Sequence, residues 1–113
     1  MNKEFVPYEL ALELKQLGFD EPCFGVYATK DGYVRKSGYD ENGDAPTYSQ
    51  AFRFFREKHD LYINITKYND ENDTQDKFYY YISDGCMKEE FNTYEEAELE
   101  CIKKLIEIVN DKQ

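Results

Sequence analysis

The stretch NTYEEAELECIKKLIEIV, Asn92 to Val109, is the one segment whose start, apolar face and charge order all specify the same structure. Thr93 is placed to cap a helix, its hydroxyl accepting an amide of the first turn, while Glu96 reaches back to the cap's own amide. Acids crowd the first half and Lys103 and Lys104 lie nearer the end, the order that the helix dipole favours. Tyr94, Ala97, Cys101, Leu105 and Ile108 form one apolar row, and Leu99, Ile102, Ile106 and Val109 a second beside it. That arc is wider than packing on one sheet needs, so the second row requires a further cover, either the first helix of the same chain or a partner chain.

The residues before this helix alternate. In LYINITKY, 61 to 68, Leu61, Ile63 and Ile65 point one way and Tyr62, Asn64, Thr66 and Tyr68 the other. In FYYYIS, 78 to 83, Phe78, Tyr80 and Ile82 share a face while Tyr79 and Tyr81 emerge opposite. Antiparallel pairing of these strands gathers Tyr62, Tyr68, Tyr79 and Tyr81 on the outer face of the sheet, an amphipathic aromatic group suited to a protein interface. The plainer alternatives are cross-strand tyrosine pairs that stiffen a half-exposed sheet, or a face covered by another helix. Asp84-Gly85 reads as a turn, followed by a short edge strand from Cys86 or Met87 to Phe91, where Lys88, Glu89 and Glu90 discourage unwanted pairing.

Further upstream, residues 7 to 17 carry a helical stripe of Leu10, Ala11, Leu14 and Leu17, with Pro7 in the opening turn. Gly18 ends this helix in the left-handed conformation, and Phe19 folds back toward Leu14 as in a Schellman ending. Phe5, Tyr8 and Phe19 read as helix-end packing rather than a ligand cradle. FGVYAT and Tyr33-Val34-Arg35 flank Asp31-Gly32, a hairpin signal. Residues 37 to 46 collect turn formers and read as a surface loop; Asp40, Glu41, Asn42 and Asp44 lack the order of a calcium-binding loop.

Thr47 and Gln50 form a second capping box, opening a helix with Tyr48, Ala51, Phe52 and Phe55 on its buried stripe. Phe54 falls outside the centre of that stripe and is placed at an edge or against a neighbouring subunit. His59 lies near the helix end, where the dipole favours a protonated imidazole; as a catalytic base it would need a partner that sequence does not place. Thr47-Tyr48…Ala51 and Thr93-Tyr94…Ala97 echo one another, which shared helix-start chemistry explains more simply than duplication.

The chain has 113 residues, enough for a single domain with one core, and 17% aromatic content with 11 Tyr supplies material for it. A net charge of -10 disfavours direct nucleic-acid binding, because affinity for phosphate backbones comes from releasing counterions. No signal-peptide core and no bilayer-length apolar run occurs, so a cytoplasmic protein without membrane contact is expected. Cys23, Cys86 and Cys101 follow no CxxC spacing and read as reduced thiols, and with His59 the only histidine no metal site is expected. Glycine-rich phosphate loops, GxSxG and HExxH are absent, so no catalytic or cofactor-binding residues are assigned and no cofactor is expected.

EFVPYELALELKQLGFDEPCF, PTYSQAFRFFREKH and NTYEEAELECIKKLIEI together resemble a group of small uncharacterised proteins from Bacteroides-type bacteria and their phages. The resemblance spans most of the chain and leaves out the acidic connection from Asp70 to Asp76. It implies a phage or prophage association and brings no chemistry with it.

The expected fold is α+β, three helices packed on a small antiparallel sheet of about four or five strands with the long C-terminal helix across it. The expected function is a non-enzymatic protein-interaction module binding another protein or itself through Tyr62, Tyr68, Tyr79, Tyr81 and Phe54, or through the broad stripe of the last helix. A second reading is an acidic mimic of nucleic acid that blocks a DNA-binding protein of the host. A small enzyme with an unrecognised site ranks third.

Overall fold

A computed structural model describes residues 5–20, 25–27, 34–35, 44–69 and 75–112. The elements run α1 (Tyr8–Gln16), β1 (Gly25–Tyr27), β2 (Val34–Arg35), β3 (Asp44–Ala45), α2 (Tyr48–His59), β4 (Ile63–Asn69), β5 (Asp76–Ile82), β6 (Met87–Phe91) and α3 (Tyr94–Asp111). The class is α+β. By contact density the chain falls into two compact units, Met1–Phe54 and Phe55–Gln113, a property distinct from the capacity to fold alone that defines a domain.

In the first unit Pro7 stands at the N-cap of α1 with ψ 148, one position before the helix rather than inside its first turn. The other end follows its sequence closely. Gly18 has φ 107, its N–H donates to the Lys15 carbonyl at 3.0 Å, and the Phe19 N–H donates to the Leu14 carbonyl at 3.0 Å, the two bonds of a Schellman ending. Leu10, Ala11, Leu14 and Phe19 are buried, whereas Leu17 is only half-buried because the chain has already turned. Tyr8 packs on Phe5 and Ala11.

β1 lies between β2 and β3, antiparallel to both, with Val26 opposite Arg35 on one side and Asp44 on the other. The pairing with β2 is the expected hairpin; its Asp31-Gly32 turn and the candidate loop residues Asp40, Glu41 and Asn42 lie outside the described residues. The reading of 37 to 46 as a surface loop is corrected at its end. Asp44–Ala45 pairs with β1, and Pro46 is fully buried with its carbonyl accepting the Val6 N–H at 2.9 Å. A ladder needs backbone amides and carbonyls, which composition does not reveal.

α2 begins as its capping box requires: the Gln50 amide donates to Thr47 Oγ1 at 3.1 Å and the Thr47 amide to Gln50 Oε1 at 3.0 Å. Its buried face is broader than the expected stripe. Tyr48, Ala51, Phe54 and Phe55 are buried and Phe52 only partly so.

In the second unit Asp60, at φ 55, reverses the chain after α2, and the Leu61 N–H donates to the Phe55 carbonyl at 3.1 Å. β4, β5 and β6 form an antiparallel sheet in that order. Among the described residues each of the two sheets has three strands, and a single sheet of four or five strands is not shown. The β5–β6 turn places Gly85 at φ 105; the Gly85 N–H donates to the Ile82 carbonyl at 2.9 Å and the Cys86 amide to Asp84 Oδ1 at 3.0 Å.

α3 packs across all three strands of this sheet. Thr93 caps it as expected, accepting the Glu96 amide at 3.1 Å. Glu96 in turn accepts the amide of Asn92 at 3.1 Å, one residue before the cap and not the cap's own amide. Asn92 also accepts from Lys77 Nζ at 3.0 Å, so the same residue ties β5 to the start of α3. Ala97, Cys101, Leu105 and Ile108 of one apolar row and Ile102, Ile106 and Val109 of the other are all buried within one chain. A partner chain is therefore not needed to cover these seven residues; of the remaining two, Leu99 is partly buried and Tyr94 is 45% exposed at the start of the helix.

Candidate functional site

Directly opposed residues of an antiparallel pair share a face, so the β4–β5 register sorts the side chains. Ile63 faces Ile82, Ile65 faces Tyr80 and Lys67 faces Phe78 on the α3 side, while Asn64 faces Tyr81, Thr66 faces Tyr79 and Tyr68 faces Lys77 on the outer side. This is the two-sided pattern expected from the alternation. Tyr62 precedes β4 on the outer side, diagonal to Tyr81, and its backbone is held at both ends: Ser83 N–H donates to its carbonyl at 2.9 Å and its own N–H donates to Ser83 Oγ at 3.0 Å.

The four outer tyrosines divide into two pairs with different tasks. Tyr68 and Tyr79 are half-buried, with ring centroids 5.8 Å apart. Tyr68 reaches across β5 to β6, where its hydroxyl accepts the Glu90 N–H at 3.2 Å. Glu90 sits at φ 72, where the β5–β6 register shifts between Phe78 and Tyr80 so that Glu89 and Glu90 together oppose Tyr79. The phenol thus supports a bulge, a structural duty that the alternation does not announce. Tyr68→Phe is expected to cost about 0.5–1.5 kcal/mol through the unmet amide; equal urea midpoints for the two proteins would show that water replaces the hydroxyl without loss.

Tyr62 and Tyr81 are 54% and 45% exposed, and Met87, directly opposite Tyr81 on β6, is 52% exposed. These three make the apolar part of the outer face. Met87 was not among the expected surface residues, although counting back across the Ser83-Asp84-Gly85 turn from Tyr81 leads to it. Phe54 does not belong to this surface. It is 4% exposed, its ring edge-on to Phe19 at 5.6 Å, because the Schellman turn brings Phe19 to a helix face wider than the stripe implied.

A concavity of about 430 Å³ opens between β5–β6 and α3, lined by Tyr80, Cys86, Met87, Lys88 and the α3 residues Glu100, Lys103, Lys104 and Glu107. Lys103 pairs with Glu100 at 3.1 Å and Lys104 with Glu107 at 3.5 Å. The Cys86 thiol donates to Asp84 Oδ2 at 3.6 Å; burial and then this carboxylate push its pKa up, which keeps it a protonated, poor nucleophile. Burial pushes the Tyr80 phenol up to about 12, with its ring stacked on Phe91 at 5.8 Å. Cys101, fully buried, is pushed up to about 12 by burial and then by Glu98. These groups stay neutral at physiological pH and form no acid-base pair.

His59 does not line that cleft. Its ring lies 5.9 Å from Phe55, and burial followed by the Lys112 charge lowers its pKa. The expected dipole-stabilised imidazolium is thus corrected to an environment that favours the neutral ring, since burial and a nearby ammonium both disfavour a cation. Among the described residues no group of three or more His, Cys, Asp or Glu is arranged to hold a metal ion, and no helix is long and apolar enough to cross a membrane. Most of the acidic connection from Asp70 to Asp76 lies outside the described residues; of its end, Asp76 pairs with Lys67 at 3.1 Å. No protein family, curated protein or solved structure matches this chain.

Proposed function

We propose that this chain is a non-enzymatic protein-interaction module whose contact surface is the outer face of the β4–β5–β6 sheet. The observation that carries the reading is the adjacency of Tyr62, Tyr81 and Met87, three large side chains each about half exposed and standing on a backbone fixed by the turn bonds. Tyrosine and methionine are enriched at interface cores, tyrosine because it buries much area at low cost in rotamer entropy and methionine because its flexible thioether adapts to the partner's shape. The Tyr68–Tyr79 pair beside them supplies rigidity rather than contact area. Partner and setting are part of the proposal: another protein or a second copy, in the phage-associated context that the sequence resemblance implies, which the genomic neighbourhood would test.

Changing Tyr62 and Tyr81 together to Ser is the direct experiment. Both are exposed, so each substitution should change the unfolding free energy by no more than about 0.5 kcal/mol. Binding should weaken at least about tenfold, as loss of two aromatic anchors does, whether read as self-association by sedimentation or as proteins retained from the native host. A double variant that self-associates and retains the same proteins as the parent would end the proposal.

A further inference from the structure

Antiparallel geometry fixes where the backbone groups of β4 point. The bond from Ser83 N–H to the Tyr62 carbonyl at 2.9 Å makes 62 and 83 a bonded pair. With the observed register, bonded pairs then recur at 64/81, 66/79 and 68/77. The other side of β5 agrees: the Ile82 N–H donates to the Cys86 carbonyl at 2.8 Å, so the even residues of β5 face β6 and the odd ones face β4. The amides and carbonyls of Ile63, Ile65, Lys67 and Asn69 therefore aim away from the sheet, and among the described residues no strand pairs with them.

The two edges of this sheet differ. β6 is short, carries Lys88, Glu89 and Glu90, and is bulged with Glu90 at φ 72, all features that block strand addition. β4 is seven residues long, INITKYN, with one charge, no proline or glycine, and an unbroken register. Its inward Ile63 and Ile65 are only half-buried, whereas Tyr80 and Ile82 opposite them on β5 are buried.

We infer that the outer edge of β4 pairs antiparallel with the same edge of a second copy of this chain, centred on Thr66, joining two three-stranded sheets into one. This names an occupant for the sheet and rests on the interaction-module reading for its purpose. The strand is self-complementary in that register: Thr66 faces Thr66, Asn64 faces Tyr68, and the bonded pairs fall on Ile65 with Lys67 and on Ile63 with Asn69, the residues whose backbone groups point outward. About eight new backbone bonds result. Lys67 faces isoleucine rather than itself, whereas centring on Lys67 would oppose two ammonium groups. No acid lies within the strand, although the chain carries a net charge of -10. The two-fold axis stands normal to the sheet, so both Tyr62, Tyr81 and Met87 groups emerge on one continuous face. Strand addition alone buries less than a standard interface, so association is expected on the order of 100 µM.

Sedimentation of the full chain from about 1 µM to about 1 mM should show the mass doubling. Lys67→Pro removes one outward N–H, a change that an edge strand accommodates, and should abolish the dimer. Hydrogen exchange at the Ile65 and Lys67 amides should slow with concentration in the parent, a readout that does not depend on the variant folding. A parent that stays monomeric throughout, or exchange at these amides that ignores concentration, overturns the edge pairing while leaving the tyrosine face to act on another protein. A dimer that survives Lys67→Pro but is lost in the Tyr62→Ser, Tyr81→Ser double variant also overturns it, in favour of the face.

Discussion

Truncating Leu105 or Ile106 to alanine is expected to cost about 2–5 kcal/mol in either case, a large share of a small domain's stability of about 5–15 kcal/mol. Leu105 belongs to the apolar row of α3 that packing on one sheet explains, and Ile106 to the second row, whose cover the sequence left open. Both are buried in one chain, at 0% and 4% exposure. The penalty at Ile106 should therefore match that at Leu105 and be the same at low and high protein concentration. Urea unfolding of the parent and the two variants at two concentrations measures this directly. A penalty at Ile106 below about 1 kcal/mol, or one that grows with concentration, would mean that the second row is covered by a partner after all.

The second large effect is a pH dependence centred on Glu98. This half-buried residue lies one turn beyond Tyr94 on α3, and burial followed by the charge of Glu95 pushes its carboxyl up to about 7 from an ordinary 4.5. With the folded value raised, the folded chain holds a proton that the unfolded chain releases. The contribution to stability is thus complete below pH 4.5 and lost as the pH rises through about 7. Solvent reaching the half-buried side chain screens part of the effect, leaving about 1–2 kcal/mol. Glu98→Gln keeps the uncharged state at every pH. The variant should match the parent near pH 4 and exceed it by that amount at pH 8. Parallel stability curves across this range would rule out Glu98 as the titrating group.

Short-range signals in the chain carry through to the folded structure. The Schellman ending at Gly18 and Phe19, the Thr47–Gln50 box and the Thr93 cap each depend on residues a few positions apart, so the chain need not be folded for their logic to apply. The alternation of β4 and β5 likewise predicted which side chains share a face, because side-chain direction in a strand follows from the backbone alone. Contacts between distant segments leave no such local signal. Helical angle alone sets Phe54 outside the centre of the stripe, whereas Phe19 supplies a neighbour that no angle reveals. Asp44–Ala45 reads as loop in the sequence because a two-residue strand has no periodicity. Glu96 accepts the amide of Asn92 in place of that of Thr93, one position further out than the capping-box spacing indicates.

By itself the sequence determined the α+β class, the helix boundaries to within a turn and the two-sidedness of the β4–β5 hairpin, since capping, glycine conformation and side-chain alternation are short-range properties. Only the tertiary structure decided that Ile102, Ile106 and Val109 of the second row of α3 are covered within one chain, that Tyr68 is committed to the Glu90 bulge, and that Met87 joins Tyr62 and Tyr81 at the surface. These outcomes depend on strand register and on which surfaces meet across long separations in the chain, and hydrophobic periodicity records only that a residue is apolar, not what lies opposite it.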